Sequence, residues 1–569
     1  MVSMNVLSAA EMQACDRATT ERFGIPSIQL MRAASAAVAA FARGQFPGAR
    51  RVTVLCGRGN NGGDGMMAAR LLADAGLDVT TLVLGAREQI TGDAAVARSE
   101  LTSHMHGRPV RGVVHVVTSA PELERQNDAL DADLIVDAVL GTGFKPPLKG
   151  LALAALQWLQ RSRAPVLAVD LPSGWPADET AATVEIDPAE KDLSAGVPIR
   201  PADAVSTFTA PKPAHVFGQL TRRWDQPIVV APIGSPEGAI ESTLGIHWAG
   251  SSLDLVQAPR AAAANKGNFG HVLVVGGTFG SAGGKAGAPA MTALAALRSG
   301  AGLVTAAVPA PALPVVASLA PELMTWPLEA NSAGQISEKN LRCGHFAQLI
   351  EGKTVLAIGP GLGQSPETAK FTIGLLSSTQ IPAVIDADAL NILAAEPALL
   401  AKLAREGQRT LVLTPHPGEM ARLAGITVAE VQANRLQTAR EFARRVGVTV
   451  VLKGARTLIA HPDGSVGVNT TGNPGLAKGG SGDLLTGLIA GLSAQYPGDI
   501  PRAVEAAVYL HGLSADLAVR EAEEHTLLAT DCLAQLAPAF RAHRLDAEGL
   551  NGYVWLQGVP HAADQDRAP

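Results

Sequence analysis

Short apolar runs that end in glycine-rich or polar turns recur along the chain, and segments with helical periodicity separate them. The strands that these runs predict in the first half are Val52–Cys56, Val79–Leu84, Leu134–Val139, Val166–Asp170 and Ile228–Ala231. Those predicted in the second half are His271–Val275, Val355–Ile358, Ala383–Ile385, Thr410–Leu413 and Val448–Leu452. Strands that alternate with helices in this way favour parallel β-α-β units, so we expect an α/β protein.

The spacing of proline and glycine divides this pattern into two parts. A chain of 569 residues is too long for one core. Prolines and glycines interrupt the alternation after Ile228–Ala231, and a new buried run begins near His271. We therefore expect domains at 1–232 and 263–540, a linker at 233–262 and a peripheral tail at 541–569. Residues 177–195 are rich in Asp and Glu and predict a solvated loop.

Composition and charge exclude several classes of protein. A net charge of −6 without a basic stripe argues against a nucleic-acid partner. The four cysteines show no C-x-x-C spacing, which suits a reducing compartment rather than a zinc site or a disulfide framework. Residues 1–11 lack the features of a signal peptide, and the apolar zone at 286–321 is broken by Arg298 and by prolines. We expect a cytoplasmic protein without a membrane segment.

The first glycine-rich turn, Gly57 to Gly65, directly follows a predicted strand. Its Gly-x-Gly-x-x-Gly spacing formally matches the dinucleotide fingerprint, but the next strand ends at Gly85-Ala86 without the carboxylate that should hold a ribose. This argues against a nicotinamide-dependent dehydrogenase, and no Gly-Lys-Ser/Thr follows to make a phosphate loop of the Walker type. Asp64 therefore has two open interpretations: it caps a helix that starts at Met66, or it faces a ligand.

Two more polar segments follow predicted strands of the first domain. One begins with Asp137 and continues through Gly141-Thr142-Gly143, and the other runs from Asp170 to Gly174. In a parallel sheet these segments and the first glycine turn emerge at the same edge, where ligands bind. Amide, carboxylate and hydroxyl oxygens that converge there would suit a monovalent or divalent cation.

The second glycine-rich turn, Gly479-Gly480-Ser481-Gly482-Asp483, opens a helix in which leucine recurs every four residues. Backbone N–H groups at such a helix start bind phosphate, and the helix dipole adds roughly half a positive charge. Asp483 could deprotonate a hydroxyl group that attacks a terminal phosphoryl group. The alternative is an aspartate that only stabilises its helix, by about 0.3–1 kcal/mol.

Other polar groups of the second half also follow predicted strands. Lys453 and Arg456 place two cations beside a turn, which suits the phosphates of a nucleotide. His416, between two prolines, is either a structural histidine or a substrate contact. Asp386 and Asp388 either cap a helix or belong to the hydration shell of a metal ion.

The three polar segments of the first half resemble those of the NAD(P)H-hydrate epimerase domain, whose fold is a Rossmann-like three-layer αβα sandwich. The resemblance implies that Asn61, Asp137 and Ser173 bind K⁺ and that Asp170 is the catalytic acid/base. It also implies a set of residues that contact the hydrated cofactor, which are Asn60, Asn61, Gly62, Gly63, Asp64, Gly141, Thr142, Gly143, Phe144, Lys145, Pro146, Pro147 and Asp170.

The segments of the second half resemble the ADP-dependent NAD(P)H-hydrate dehydratases, which have the ribokinase-like fold. Lys266-Gly267, Asn473-Pro474-Gly475 and Tyr509 to Gly512 add to this resemblance. It implies Asp483 as the catalytic base and Mg²⁺ as the ion that assists the phosphates. Residues implied to bind ADP or AMP are Lys453, Gly454, Ala455, Arg456, Thr457 and Gly482. Those implied to line the hydrate pocket, together with Asp483, are Ala288, Gly361, Gly363 and His416.

Together the two resemblances imply a bifunctional repair enzyme for hydrated NADH and NADPH. The first domain would interconvert R and S hydrates, and the second would dehydrate the S form at the expense of ADP. An alternative is a ribokinase-like kinase of a small molecule, such as a vitamin precursor, with a non-catalytic binding domain at its N-terminus. The expected partners are small molecules and further copies of the chain in a homo-oligomer. The choices between ADP and ATP, and between the two hydrates, stay open.

Overall fold

The computed structural model describes residues 4–107, 111–186, 197–281, 283–342, 344–406, 409–549 and 552–559. They form two compact units. The N-terminal unit comprises Met4–Leu244 together with the described residues after 543, and the C-terminal unit comprises Gly245–His543. The second half of the acidic stretch at 177–195 and the last ten residues of the tail lie outside the described residues. Across the described part of the chain, no helix combines the length and the apolar character needed to cross a membrane.

The N-terminal unit is built around a parallel sheet. Its strands are β1 (Arg51–Cys56), β2 (Asp78–Leu84), β3 (Gly112–Val117), β4 (Leu134–Ala138), β5 (Val166–Val169), β6 (Glu185–Ile186), β7 (Val197–Pro198), β8 (Ala204–Phe208) and β9 (Ile228–Ala231). Its helices are α1 (Ala9–Glu21), α2 (Ser27–Gln45), α3 (Asn60–Asp74), α4 (Gly92–Gly107), α5 (Ala120–Glu124), α6 (Gly150–Gln160) and α7 (Pro213–Phe217). Seven strands lie in the order β9-β8-β5-β4-β1-β2-β3, all parallel.

The register of this sheet brings the three predicted polar segments to one edge. Cys56 at the end of β1 pairs with Ala138 of β4, and Asp137 pairs with Ala168 of β5. The turns that follow β1, β4 and β5 therefore emerge side by side, as expected for a parallel sheet.

Helix α3 begins at Asn60, six residues before the start that the sequence predicted. Its first turn contains Gly62 and Gly63, and it packs tightly against the preceding turn. A Cβ atom on Gly62 would lie 1.9 Å from the carbonyl oxygen of Gly57, so only glycine fits this position. Asp64 consequently lies inside the helix and does not cap it.

The C-terminal unit contains a sheet of ten strands. The strands of this unit are β10 (Ile246–Trp248), β11 (His271–Val275), β12 (Phe279–Gly280), β13 (Gly283–Gly284), β14 (Leu303–Pro309), β15 (Met324–Leu328), β16 (Val355–Ile358), β17 (Ala383–Ile385), β18 (Leu411–Leu413), β19 (Thr449–Leu452), β20 (Leu458–Ala460) and β21 (Val466–Val468). The order of the large sheet is β10-β21-β20-β19-β18-β17-β16-β11-β14-β15, and β12 and β13 form a separate hairpin. Within the large sheet, β20 runs antiparallel to both neighbours and the other pairs are parallel.

The helices that follow Gly245 along the chain are α8 (Asp254–Gln257), α9 (Gly287–Arg298), α10 (Leu313–Ala317), α11 (Phe346–Ile350), α12 (Pro366–Ser378), α13 (Ala387–Ala394), α14 (Pro397–Glu406), α15 (Pro417–Ala424), α16 (Val428–Ala433), α17 (Arg435–Val446), α18 (Ser481–Gln495), α19 (Ile500–Glu521), α20 (Ala529–Ala534) and α21 (Leu536–Gly549). Helix α18 lies against α9 at very short range. A Cβ atom on Gly487 would lie 2.1 Å from the carbonyl oxygen of Thr292, and one on Gly491 would lie 2.1 Å from Ser299 Oγ. These two glycines, one turn apart, let the helix backbones approach closely.

Two short strands lie in segments that the sequence analysis assigned to a linker and a tail. Strand β10, within the expected linker at 233–262, pairs with β21 in the second sheet. The last strand, β22 (Val554–Gln557), lies within the expected tail at 541–569 and pairs antiparallel with β9, so the first sheet has eight strands. Trp555 of β22 is buried and packs edge-to-face on Phe41, with 6.0 Å between the ring centroids.

Candidate active sites

Asp170, directly after β5, is a buried carboxylate that accepts four hydrogen bonds. Its Oδ2 accepts hydrogen bonds from the backbone N–H and the hydroxyl of Thr142, both at 2.6 Å. Its Oδ1 accepts from Thr207 at 2.8 Å and from the Lys212 ammonium at 3.0 Å. Its backbone has φ of 67°, in the left-handed region that non-glycine residues rarely adopt.

The charge of Asp170 is fixed by Lys212, a lysine that is fully buried. Burial alone would raise the pKa of Asp170, but the charges of Lys212 and His215 and the hydrogen bonds from Thr142 outweigh it, so the pKa lies below its ordinary value. Asp170 is therefore ionised at neutral pH.

Asp64 has the opposite electrostatic character. Burial, followed by repulsion from the charges of Asp170 and Asp16, raises the pKa of Asp64 well above its ordinary value. Among the described residues no side chain or backbone group makes a hydrogen bond to its carboxyl group. The site therefore contains two carboxyl groups whose pKa values are shifted in opposite directions.

The three residues expected to bind K⁺ lie around the turn after β4. Ser173 Oγ donates to Asp137 Oδ1 at 2.5 Å, and Ser173 N donates to Asp137 Oδ2 at 2.9 Å. Asn61 approaches the same turn, since a Cβ atom on Gly141 would lie 3.0 Å from Asn61 Oδ1 and 2.9 Å from Asp170 Oδ2. Asn61 Nδ2 is buried without a hydrogen-bond partner in the part of the chain that the structure describes. An unsatisfied amide beside a carboxylate and a hydroxyl is a donor set that fits a monovalent cation.

The remaining residues expected to contact the hydrate lie on the loop after β4. Phe144 N donates to the carbonyl oxygen of Gly141 at 2.9 Å, which closes a turn. Lys145 and the two prolines after it, Pro146 and Pro147, are exposed. The loop therefore presents a solvent-facing surface next to Asp170.

In the C-terminal unit, five turns that follow parallel strands emerge at one edge of the sheet, after β11, β16, β17, β18 and β19. Asp483 lies in the first turn of α18. Burial and the nearby charge of Asp386 raise the pKa of Asp483 to about 6, against the opposing charges of Lys453 and Lys285. No described residue makes a hydrogen bond to its carboxylate. A carboxylate with a pKa near the working pH is suited to general-base catalysis.

Asp386 and Lys453 form a buried ion pair beside the start of α18. Lys453 Nζ lies 2.9 Å from Asp386 Oδ1, and Thr486 Oγ1 donates to Asp386 Oδ2 at 2.8 Å. A Cβ atom on Gly482 would lie 3.5 Å from Lys453 Nζ, so this ammonium group is adjacent to the glycine-rich turn. Asp386 is the N-cap residue of α13, but its side chain makes no capping hydrogen bond.

The residues expected to line the hydrate pocket lie at two places: Gly361 and Gly363 are near Ala288 and Asp388, and His416 is at the start of α15. Gly361 lies against α9, since its Cβ atom would be 3.3 Å from Ala288 Cβ, and Gly363 N donates to Asp388 Oδ2 at 2.9 Å. Asp388 Oδ2 also lies 3.7 Å from the exposed ammonium group of Lys285. His416 is the N-cap residue of α15, and its Nδ1 accepts a hydrogen bond from Gly418 N at 3.0 Å.

Hydrogen bonds from Arg435 of α17 and within the turn itself stabilise the turn after β19. Arg435 donates to the carbonyl oxygens of Leu452, Lys453 and Ala455. Thr457 Oγ1 donates to the carbonyl oxygen of Gly454 at 2.9 Å. Burial lowers the pKa of Arg456 to about 10, and its Nη1 donates to the carbonyl oxygen of Thr470 at 2.8 Å.

Sequence reasoning gave no role to several groups that contact these sites. Lys212 and Thr207 hold Asp170, Thr486 holds Asp386, and Lys285 faces Asp388. One signal was available for Lys212, a lone lysine between two prolines in an apolar segment. The others are ordinary polar residues whose partners lie far away along the sequence.

Comparison with known families agrees with this division into two sites. Residues 27–214 match the family described as YjeF-related protein N-terminus. Residues 272–538 match the family described as NAD(P)H-hydrate dehydratase.

Relatives that match nearly the whole chain share one name. The bifunctional NAD(P)H-hydrate repair enzyme of Moorella thermoacetica is 39% identical over 93% of this chain and 95% of that relative. The enzyme of the same name from Escherichia coli is 34% identical over 93% of this chain and 92% of that relative. The solved ADP/ATP-dependent NAD(P)H-hydrate dehydratase of Bacillus subtilis, co-crystallised with ATP and Mg²⁺, is 34% identical, with a TM-score of 0.42 over 50% of this chain and 93% of that chain. The chain therefore belongs to the family of bifunctional NAD(P)H-hydrate repair enzymes.

Proposed function

We propose that the two units catalyse consecutive steps in the repair of hydrated NADH or NADPH, with the residues described above in specific roles. The N-terminal unit interconverts the R and S hydrates, and the C-terminal unit dehydrates the S hydrate with ADP as the phosphoryl donor. Family membership across the whole chain does not support the alternative of a vitamin-precursor kinase with a non-catalytic N-terminal domain.

Epimerisation requires that the bond between C6 and its hydroxyl oxygen breaks and re-forms on the opposite face. The leaving hydroxyl takes a proton and departs as water, and the water that adds returns a proton to the enzyme. Asp64 is suited to supply that proton because its pKa is raised. Asp170 is suited to stabilise the positive charge that develops on the ring, because Lys212 keeps it ionised. In this scheme Asp64 would carry out the acid/base role that the resemblance implied for Asp170, and Asp170 would act through its charge.

A K⁺ ion would be held in the N-terminal unit by Asn61, Asp137 and Ser173. The Asn61 amide supports this assignment because its buried Nδ2 has no hydrogen-bond partner among the described residues. Rotation of the amide by 180° would put the oxygen atom in that position, where it could bind the ion. When bound, the ion supplies positive charge beside the turn after β4. The residues of that turn, Gly141 to Pro147, would then face the hydrate together with the first turn of α3.

Dehydration begins when Asp483 removes the proton from the C6 hydroxyl of the S hydrate. The resulting oxygen attacks the terminal phosphoryl group of ADP, and AMP leaves. The C6–O bond then breaks to release inorganic phosphate, and the departing phosphate or a water molecule accepts the proton from C5, which restores the C5–C6 double bond. The backbone N–H groups at the start of α18 and the ammonium group of Lys453, which is near Gly482, would stabilise charge on the transferred group.

The adenine nucleotide would lie on the turn after β19, at Lys453 to Thr457, and beside Gly482. Mg²⁺ would neutralise its phosphates, and the carboxyl groups of Asp386 and Asp388 would supply oxygen atoms suited to the hydrated ion. Ala288, Gly361, Gly363 and His416 would contact the hydrate. A cytoplasmic location and a homo-oligomeric state complete the proposal, and the buried free thiols of Cys15, Cys56 and Cys532 fit a reducing compartment.

The observation that carries this proposal is the state of Asp483, a carboxylate without a hydrogen-bond partner among the described residues, at a helix start and with a pKa of about 6. The test is to incubate mixed R and S hydrates with ADP and to follow both epimers, AMP and reduced cofactor by chromatography. We expect Asp483→Asn to abolish AMP formation and to leave R/S exchange intact. Asp170→Ala should do the converse and leave the R hydrate to its spontaneous exchange.

Asp463→Asn is the matched control, because Asp463 lies in the exposed turn between β20 and β21. It should behave like the unmodified enzyme. Production of AMP by Asp483→Asn would refute the base assignment. AMP formation by the unmodified enzyme without recovery of reduced cofactor would indicate a kinase that lacks the elimination step.

A further inference from the structure

The end of strand β2 lacks the charged residue that is usual at the same position in dinucleotide-binding sheets. There a carboxylate normally holds the ribose hydroxyls of NAD, whereas an arginine nearby accommodates the 2′-phosphate of NADP. Here β2 ends at Leu84 and is followed by Gly85 and Ala86, neither of which carries a charge.

Arg58, from the turn after β1, lies across this strand end. A Cβ atom on Gly85 would lie 2.7 Å from Arg58 Cδ and 2.8 Å from Arg58 Cγ, so the side chain runs over the bare glycine backbone. Gly85 has φ of 132°, which a residue with a side chain would adopt only under strain. The glycine therefore makes room for the arginine.

The positive charge of Arg58 is not used within the described structure. Arg58 is exposed, and neither an ion pair nor a hydrogen bond joins it to any described residue. Arg87, which begins the short turn after β2, is exposed and equally without such a partner in the described ranges. Guanidinium groups without partners among the described residues, at the ligand-binding edge of a sheet, are suited to bind a phosphate group.

The order of the strands indicates which part of a dinucleotide reaches this place. The order β3-β2-β1-β4-β5 is that of the dinucleotide-binding fold, in which the adenosine half lies over β1 and β2 and the other half lies beyond β1. Asp137 and Asp170, at the ends of β4 and β5, place the reacting ring on the second side. The adenosine ribose then lies at Gly85.

We propose that Arg58, assisted by Arg87, binds the 2′-phosphate of NADPH hydrate and makes the N-terminal unit selective for it over NADH hydrate. This inference rests on the proposed epimerase function. The ligand group is a phosphate monoester on the adenosine ribose, and Arg58 acts on substrate selection and not on the reacting carbon.

The test measures kcat/KM for R-to-S conversion of each hydrate separately, in full-length protein that carries Asp483→Asn so that the S hydrate is not consumed. We expect Arg58→Ala to lower the ratio of the NADPH-hydrate to the NADH-hydrate value about tenfold or more, as is usual for the loss of a charged hydrogen bond. Arg58→Lys should retain part of the selectivity. Ala86→Asp, which restores a carboxylate near the end of β2, should also lower the ratio.

Arg51→Ala is the matched control, because Arg51 is an exposed arginine at the opposite end of β1 and its partner is Asp133. The ratio should not change in this variant. An unchanged ratio in both Arg58→Ala and Ala86→Asp, with both hydrates still epimerised, would overturn the 2′-phosphate site and leave the epimerase function intact. Failure of the parent protein to epimerise either hydrate would overturn both proposals.

Discussion

At the scale of single residues, electrostatic effects distinguish the two sites. In the N-terminal unit, the buried Lys212 ammonium keeps Asp170 ionised, while Asp64 favours its protonated form. In the C-terminal unit, Asp483 has a pKa of about 6 and changes protonation near neutral pH. The first site therefore contains two carboxyl groups whose pKa values are shifted in opposite directions, whereas the second contains a carboxyl group that loses its proton as the pH rises through about 6.

This difference predicts a pH dependence for dehydration. Because only ionised Asp483 can act as a base, kcat/KM should fall as the pH decreases through about 6. The charge of Lys285 lowers the pKa of Asp483. Lys285→Met should therefore move the acidic limb of the pH–rate profile, the region in which kcat/KM falls, to higher pH. We expect a shift of up to about 0.7 pH unit, which corresponds to the 0.2–1 kcal/mol of an exposed ion pair.

Initial rates of AMP formation between pH 5 and pH 8 would measure the limb. Lys339→Met is the control, since Lys339 is exposed and pairs with Glu329 at the surface. It should leave the limb in place. An acidic limb that stays fixed in Lys285→Met would show that Asp483 does not control the rate.

At the scale of elements, the position of Asp483 depends on how closely α18 packs on α9. Gly487→Ala would place a methyl group 2.1 Å from the carbonyl oxygen of Thr292, a backbone atom that cannot move aside alone. We expect α18 to shift, the free energy of unfolding to fall by about 1–3 kcal/mol, and dehydration to weaken more than epimerisation. Denaturant unfolding and separate assays of the two reactions would measure this.

Gly498→Ala is the matched control for the helix contact. Nothing lies within 4 Å of a Cβ atom at this position, which is two residues beyond Tyr496, the C-cap residue of α18. The substitution should be neutral for both activities. If Gly487→Ala were equally neutral, the close approach of the two helices would not be needed to position the base.

Several elements could be predicted from the sequence because their signals are local. The capping box at Ser8 and Glu11 marks α1, and His461 to Gly464 marks the hairpin between β20 and β21. The buried parallel strands β11, β16, β17, β18 and β19 appear as apolar runs that end in polar turns. The α/β class follows from this pattern, whereas the Rossmann-like and ribokinase-like folds are implied by the family resemblance.

Other features could not be predicted because their causes lie far away along the sequence. The early start of α3 depends on a close approach between Gly62 and Gly57, which no propensity reveals. Strands β10 and β22 have three and four residues, too few for alternation to show. The partnership of Lys212 with Asp170 spans 42 residues and exists only once the sheet has formed.

At the scale of the whole molecule, the N-terminal unit is assembled from two separate parts of the chain. Strand β22 supplies Trp555, and Gln557 Nε2 donates to Thr221 Oγ1 at 2.7 Å and to the Gln226 carbonyl oxygen at 2.8 Å. Trp555→Ala should therefore destabilise this unit by about 3–5 kcal/mol, the usual cost of removing a large buried aromatic side chain. Epimerase activity should be lost at a lower temperature, while dehydratase activity should be retained.

Heat inactivation of the two activities in full-length protein would measure this effect. A chain that ends at residue 559 is the control, because it keeps β22 and the contacts of Trp555. Its epimerase activity should match that of the full chain. Equal loss of both activities in Trp555→Ala would mean that the strand supports the C-terminal unit as well.

The late position of β22 also has a consequence for synthesis on the ribosome. Strand β9 is translated early, but the strand that covers its outer edge emerges only after the entire dehydratase has been made. During that interval the nascent epimerase has an unpaired strand edge, the kind of surface on which chains aggregate. We therefore expect the N-terminal sheet to be completed only after the C-terminal unit has been synthesised.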